Sequence, residues 1–204
     1  MVKVKICGIT NIEDAMATVD FGADALGFVF VKKSPRYIQP KKAAQIIDEL
    51  PLFIQTVGVF ANETTENIEA VISMARLDLA QLHGDEPPAM CKLSRRVIKA
   101  IRVKSLESLA PLGEYGRHVS AFLLDTYTPE KLGGTGMIFN WDVAVEAKQF
   151  GQIILAGGLT TDNVAEAVRH VTPYGVDVSS GVELKKGKKD LEKVRLFIER
   201  AKSA

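Results

Sequence analysis

Val2-Lys3-Val4-Lys5-Ile6-Cys7-Gly8 opens the chain with strict alternation. Side chains alternate along a strand, so Val2, Val4 and Ile6 share one face and Lys3, Lys5 and Cys7 the other. The apolar face calls for a covering layer. The face with two lysines and a thiol calls for an interior that tolerates charge. A closed barrel supplies both: helices cover the apolar face, and the polar face points inward. An open doubly wound sheet is the competing arrangement.

Further short apolar runs begin near Asp24, Phe53, Asp78, Val97, Val119, Gln152 and Gly175. They recur about every 25 residues, the length of one strand, one helix and two short loops. Phe53 to Phe60 is nearly continuously apolar, as expected of a parallel strand buried on both faces. Between the runs lie helical periods. Ile12, Ala15, Met16 and Val19 are spaced i, i+3, i+4, i+7, with Asn11 as cap and Gly22 as stop. Ala43 to Leu50 after Pro40, Ile68 to Ala75 after Thr64-Thr65, Val164 to Val171 and Leu191 to Ala201 repeat the pattern. The helices after strands four, five and six are less clear. Eight alternations predict one (β/α)8 TIM-barrel domain over residues 1–204. That leaves no room for an inserted domain, so function belongs to the loops.

The composition agrees. Of 204 residues, 47% are hydrophobic and 25% charged, which excludes wholesale disorder. Lys+Arg 26 against Asp+Glu 25 gives a net charge of +1, so neither nucleic acid nor an anionic membrane is expected as partner. No apolar run reaches the roughly 20 residues that span a bilayer, and the N-terminus lacks the apolar core of a signal peptide. Two cysteines, Cys7 and Cys91, make no disulfide framework. These features predict a cytoplasmic protein with reduced thiols. Monomer and homodimer both remain open.

In such barrels the active site lies at the C-terminal ends of the strands. There stand Cys7-Gly8, Arg36 after strand two, His83-Gly84 after strand four, Asp125 after strand six, Gly157-Gly158 after strand seven, and Asp177 with Ser179-Ser180-Gly181 at strand eight. Glycines let backbone N–H groups approach an anion, and a short helix after Gly181 is expected to aim its positive end there. The phosphate site of many barrels is built from loops seven and eight. Either pair of glycines alone reads as a tight turn; together they point to phosphate. Gly134, in Gly133-Gly134-Thr135-Gly136, is a third phosphate candidate, and its long loop reads equally as a lid.

Cys7 is a candidate nucleophile or base, against the usual fate of cysteine as core filler. Lys5 lies about 6.6 Å away along the strand. A full charge at that distance lowers a thiol pKa by at most about 2 units, with desolvation opposing. The expectation is a substantial thiolate fraction, reduced by Lys5→Met. Asp125 ends the run Ala121-Phe122-Leu123-Leu124. It reads as a cap or as a general acid raised in pKa by apolar surroundings. Arg36 suits a carboxylate clamp or a solvated surface. Asp177 points inward and is expected to pair with Lys5, as a structural pair or near a substrate hydroxyl. His83 reads as a ligand contact or a scaffold histidine. Cys91 reads as packing on a helix. No paired ligand spacing for zinc, no G-x-G-x-x-G and no P-loop is present.

At these residues the chain resembles the phosphoribosylanthranilate isomerase family of tryptophan biosynthesis. The resemblance runs from end to end. It rests on Lys5-Ile6-Cys7-Gly8-Ile9-Thr10, Ala23 to Phe30 with Ser34-Pro35-Arg36, Gly58-Val59-Phe60, and Gln81-Leu82-His83-Gly84. It continues through Leu123-Leu124-Asp125, Gly133-Gly134-Thr135-Gly136, Ala156-Gly157-Gly158-Leu159, and Gly175 to Glu183. Asn140 departs from the family, which often shows Asp there, near a helix start. The resemblance implies a (β/α)8 barrel and an Amadori rearrangement of N-(5-phosphoribosyl)anthranilate to 1-(2-carboxyphenylamino)-1-deoxyribulose 5-phosphate. It implies Asp125 as general acid and Cys7 as general base, without cofactor or metal. Arg36 would hold the anthranilate carboxylate, loops seven and eight the phosphate, and Asp177 would lie near the sugar. A barrel isomerase of histidine biosynthesis is the nearest rival, but its base is an aspartate. A sugar-phosphate epimerase lacks its metal ligands here, and an aldolase would need Lys5 as Schiff base. A non-catalytic phosphate-ligand sensor would keep the glycine loops without needing Cys7 opposite Asp125.

Overall fold

In a computed structural model, described over residues 1–126 and 140–204, eight parallel strands close on themselves in sequence order. They are β1 Lys3–Cys7, β2 Ala25–Val29, β3 Gln55–Phe60, β4 Leu79–Leu82, β5 Arg96–Val103, β6 Ala121–Thr126, β7 Ile153–Leu155 and β8 Gly175–Val178. Closure pairs β1 with β8, with Lys5 opposite Asp177, and this excludes the open sheet. Leu52 and Phe53 correct the reading of the third strand. They precede β3 and stand 88% and 90% exposed, because apolar character alone does not distinguish core from rim.

The two faces of β1 divide as its alternation requires. Val4 and Ile6 are fully buried in the layer between barrel and helices. Inside the barrel, Val57, Ile98, Ala100, Ala121, Leu123, Ile154 and Ala156 form a separate apolar cluster. Fully burying one large aliphatic side chain of this kind contributes about 1.5–3 kcal/mol. Above it, Cys7 packs with Val29 and Val59. Because Ala121 and Leu123 point inward, the period of two also turns Asp125 inward at the end of β6.

Local capping explains the helix boundaries. In α1 (Ile12–Asp20) the Asn11 side chain accepts from the Asp14 N–H at 2.9 Å. The chain then leaves through Gly22 at φ +94°, a left-handed conformation that glycine adopts readily. Pro40 starts α2 (Pro40–Asp48), and Thr64 caps α3 (Thr65–Ala75). α6 (Val164–Val171) and α7 (Leu191–Lys202) follow β7 and β8, with Asp190 capping α7.

The unclear helices are short. After β4 there is one 3-10 turn, Pro88–Cys91, opened by Pro88 and with Cys91 buried. After β5 comes α4, only Leu112–Tyr115, flanked by 3-10 turns. α5 (Asp142–Ala147) precedes β7, and Asn140 Oδ1 accepts from the Asp142 N–H at 3.0 Å, so the departure at Asn140 falls on a capping contact. Gly134 and its neighbouring glycines lie outside the described residues. No helix among the described residues is long and apolar enough to cross a membrane.

The β8–α7 connection holds an unforeseen antiparallel hairpin, β9 (Glu183–Lys185) and β10 (Lys188–Lys189). Gly187 turns it at φ +81°. This hairpin folds back over the C-terminal end of the barrel and brings Glu183 and Lys189 to the mouth.

Candidate active site

Cys7 ends β1 and is 7% exposed. Gly27, beside it on β2, makes room for the thiol: a Cβ there would stand 2.7 Å from Sγ. Lys5, one step below on the same face, pairs with Asp177 at 2.8 Å, and both are buried. The pair predicted from barrel closure is therefore present, and it also occupies the lysine that an aldolase would need free.

The acidity of Cys7 departs from expectation. Burial pushes the thiol above its ordinary value, outweighing the downward pull of Lys5. Asp177 pushes the same way as burial, and Lys189 pulls down. A lone lysine at strand spacing promised a large thiolate fraction. Desolvation and the carboxylate paired with that lysine reverse the balance.

Asp125 ends β6, three strands round the barrel from β1 and separated from it by β7 and β8. It is 5% exposed. Its Oδ1 accepts from the Thr126 N–H at 2.9 Å, and its Oδ2 lies 3.2 Å from His83 Nε2. His83 Nδ1 in turn meets the Gln81 side-chain amide at 3.0 Å. A Gln81–His83–Asp125 chain thus runs from inside β4 to the end of β6. His83 is an orienting neighbour of Asp125, a role the sequence did not indicate, and Gln81 was missed. The signal was its inward parity with Leu79 and His83 on β4.

Gly157 and Gly158 have φ of +75° and +70°, so they do form the tight turn. A Cβ on Gly157 would stand 2.8 Å from Asp125 Oδ1, so loop seven lies against the Asp125 carboxylate. Gly181 lies against the Leu159 carbonyl, bringing loops seven and eight together. Ser180 and Gly181 sit inside a three-residue 3-10 turn, Ser180–Val182. The short helix expected after Gly181 is replaced by the hairpin.

Among the described residues, buried polar atoms without a partner include Gln81 Oε1, Thr126 Oγ1 and Ser179 Oγ. These stand at the ends of β4, β6 and β8. An unpartnered buried polar group costs about 1–3 kcal/mol.

Arg36 rises from the loop after β2, with its fork on Glu183: Nε to Oε1 at 2.8 Å and Nη2 to Oε2 at 2.7 Å. Glu183 holds the guanidinium in place, and Nη1 has no acceptor among the described residues. Arg36 and Lys189 beside Glu183 hold its carboxyl below the ordinary carboxylate range, against burial, the largest influence. No group of three or more His, Cys, Asp or Glu placed to hold a metal occurs among the described residues. A cavity of about 220 Å³ lies at the opposite mouth, where Lys3, Ala25, Gln55, Leu79, Arg96, Ala121 and Gly175 begin or adjoin the strands.

Residues 4–200 match the family model described as N-(5'-phosphoribosyl)anthranilate (PRA) isomerase. The N-(5'-phosphoribosyl)anthranilate isomerase of Geobacter sulfurreducens is 59% identical over 203 residues, covering 99% of each chain. A crystal structure of phosphoribosyl anthranilate isomerase in complex with reduced 1-(o-carboxyphenylamino)-1-deoxyribulose 5-phosphate is 44% identical, with TM-score 0.90 and complete coverage of both chains. Monomers generated from the dimeric phosphoribosylanthranilate isomerase of Thermotoga maritima superpose with TM-score 0.89 at 43% identity, again with complete coverage of both. With a thiol and a carboxylate at the ends of β1 and β6 and likeness along its whole length, the chain belongs to the phosphoribosylanthranilate isomerase family.

Proposed function

We propose that the chain is an aldose–ketose isomerase, an intramolecular oxidoreductase. It converts N-(5-phosphoribosyl)anthranilate to 1-(2-carboxyphenylamino)-1-deoxyribulose 5-phosphate. The observation that carries this is the placement of Cys7 and Asp125 at one mouth of the barrel, at the ends of β1 and β6.

The steps follow from that placement. Asp125 gives a proton to the ribose ring oxygen as the C1–O bond breaks, and the nitrogen lone pair forms a C1=N iminium. The Cys7 thiolate removes the C2 proton; the C–H electron pair forms C1=C2 as the C1=N pair returns to nitrogen. The resulting enol tautomerises to the ketone, one proton leaving the 2-hydroxyl and one reaching C1. The iminium is a positive charge formed beside the thiol, so it favours the thiolate as Lys5 does. His83 Nε2 stands where it can stabilise the carboxylate left on Asp125.

Arg36 Nη1 is proposed to meet the anthranilate carboxylate. Gly157, Gly158, Ser179, Ser180 and Gly181 take the phosphate, supported by the unpartnered Ser179 hydroxyl. Asp177, paired with Lys5, lies toward the sugar. Incubation with freshly made substrate and chromatographic separation of the two isomers tests the reading. The ketose is expected; a folded protein that yields none would refute it.

We further propose a homodimer formed through the opposite mouth. Phe53 lines that cavity while standing 90% exposed, beside Leu52 at 88% and near Tyr174 at 49%. A two-fold axis would bury each apolar rim against its copy, and a relative is described as dimeric. Light scattering is expected to give twice the chain mass for the wild type and the single mass for Phe53→Asp. A wild type that stays monomeric at micromolar concentration would contradict this.

A further inference from the structure

Lys189 has a fully buried side chain at the mouth, and the chemistry above makes no use of it. Its ammonium donates to the Cys7 carbonyl at 2.6 Å, the Ser179 carbonyl at 3.2 Å and Glu183 Oε1 at 3.2 Å. Its own N–H donates to Asp14 Oδ2 at 2.8 Å, and Asp14 Oδ1 accepts from Lys188 at 2.5 Å. One ammonium therefore ties together the end of β1, the end of β8 and the carboxylate that carries Arg36. Burying a charge is costly, and an apolar side chain of similar volume is often no worse for stability. A lysine at this position calls for a role beyond folding.

The charges around the thiol point to that role. Lys5 and Asp177 cancel each other. Arg36 and Lys189 share the single carboxylate of Glu183. The groups packed beside Cys7 from β2 and β3, Gly27, Val29 and Val59, carry no charge. Among the described residues this leaves one uncompensated positive charge next to Cys7, on Arg36 and Lys189 together.

We propose that Lys189 is the positioning residue of the general base: it fixes Cys7 against loop eight and supplies the uncompensated positive charge that favours the thiolate. This deepens the reading of Cys7 given above and rests on it. Lys189 pulls the Cys7 thiol downward in pKa, alongside Lys5 and against burial. Burial lowers the pKa of Lys189 itself, with Glu183 opposing that shift. The ammonium is thus held by the same carboxylate that holds Arg36.

The test is the pH dependence of Cys7 alkylation by iodoacetamide in a Cys91→Ala background, read without substrate. Lys189→Met is expected to raise the apparent thiol pKa by about one unit, or about tenfold less thiolate at a given pH below it. The rising limb of kcat/KM is expected to move by the same step. A merely structural lysine would lower the melting temperature and leave both profiles in place, and that outcome overturns the proposal. Should Lys189→Met fail to fold, Lys189→Gln decides: its amide can still donate to a carbonyl but carries no charge, so the thiol pKa is expected to rise as with Met, and an unmoved profile overturns the role. An expected thiol shift without wild-type turnover would refute only the isomerase reading. Full turnover with an unmoved thiol would refute only the role of Lys189.

Discussion

Asp125→Asn is expected to lower kcat by about 10²–10⁴-fold, the usual worth of a positioned general acid. The amide keeps the shape of the carboxyl and still accepts from the Thr126 N–H, which now lies 2.9 Å from Oδ1. It can also donate to His83, so the fold and the His83 contact survive. What it lacks is a proton it can release to the ring oxygen. Opening of the ribose ring then depends on water, and the step after it, proton removal by Cys7, has no iminium to act on. KM is expected to change little, because loops seven and eight and Arg36 are untouched. Steady-state kinetics with the folded variant checks this. A variant within tenfold of wild-type kcat would remove Asp125 from the acid's role.

Lys99→Met is expected to destabilise the protein by about 3–5 kcal/mol, the cost of leaving a buried charge without its partner. Lys99 faces the layer outside the barrel and is 2% exposed. Its ammonium donates to Glu86 Oε2 at 2.9 Å and to the carbonyls of Gly84 at 2.7 Å and Leu82 at 3.3 Å. Glu86 also accepts from the N–H groups of Asn62 and Gly84. The β4–β5 connection holds one 3-10 turn, so this ionic knot does the holding that a helix does elsewhere. It also fixes Gly84, the residue after His83. Thermal unfolding is expected to drop by roughly 10 °C or more at this chain length. The double variant Lys99→Met/Glu86→Gln should recover part of the loss, because no charge is then left buried and the amide oxygen can still accept from the N–H groups of Asn62 and Gly84. A loss below about 1 kcal/mol in the single variant would contradict this account.

The faces of β1 were legible because period two turns every inward residue into a countable position. Asp125 was legible for the same reason: it stands two steps beyond Leu123 and four beyond Ala121, both inside the barrel. The hairpin after β8 was not legible. Its strands have three and two residues, too few to show a period. Its partners lie far off in sequence: Arg36 and Glu183 are 147 residues apart, and Cys7 and Lys189 are 182 apart. No local pattern encodes such pairings. The thiol shows the same limit. Spacing along one strand gave the field of Lys5, and barrel closure gave its pairing with Asp177; that burial outweighs that field does not show in spacing. For Gly157 and Gly158, turn and anion site stood as alternatives in the sequence. The positive φ values establish the turn, and the unpartnered Ser179 hydroxyl keeps the anion reading alive beside it.

The most direct test of the acid–base account is the loss of substrate fluorescence on adding enzyme to freshly made N-(5-phosphoribosyl)anthranilate. Anthranilate released by spontaneous breakdown is trapped throughout. Wild type, Cys7→Ser and Asp125→Asn are compared at equal concentration after each is shown to be folded. Rapid decay with wild type, slowed by orders of magnitude in both variants, is the predicted result. Decay with either variant at the wild-type rate, or none with the wild type, would contradict it.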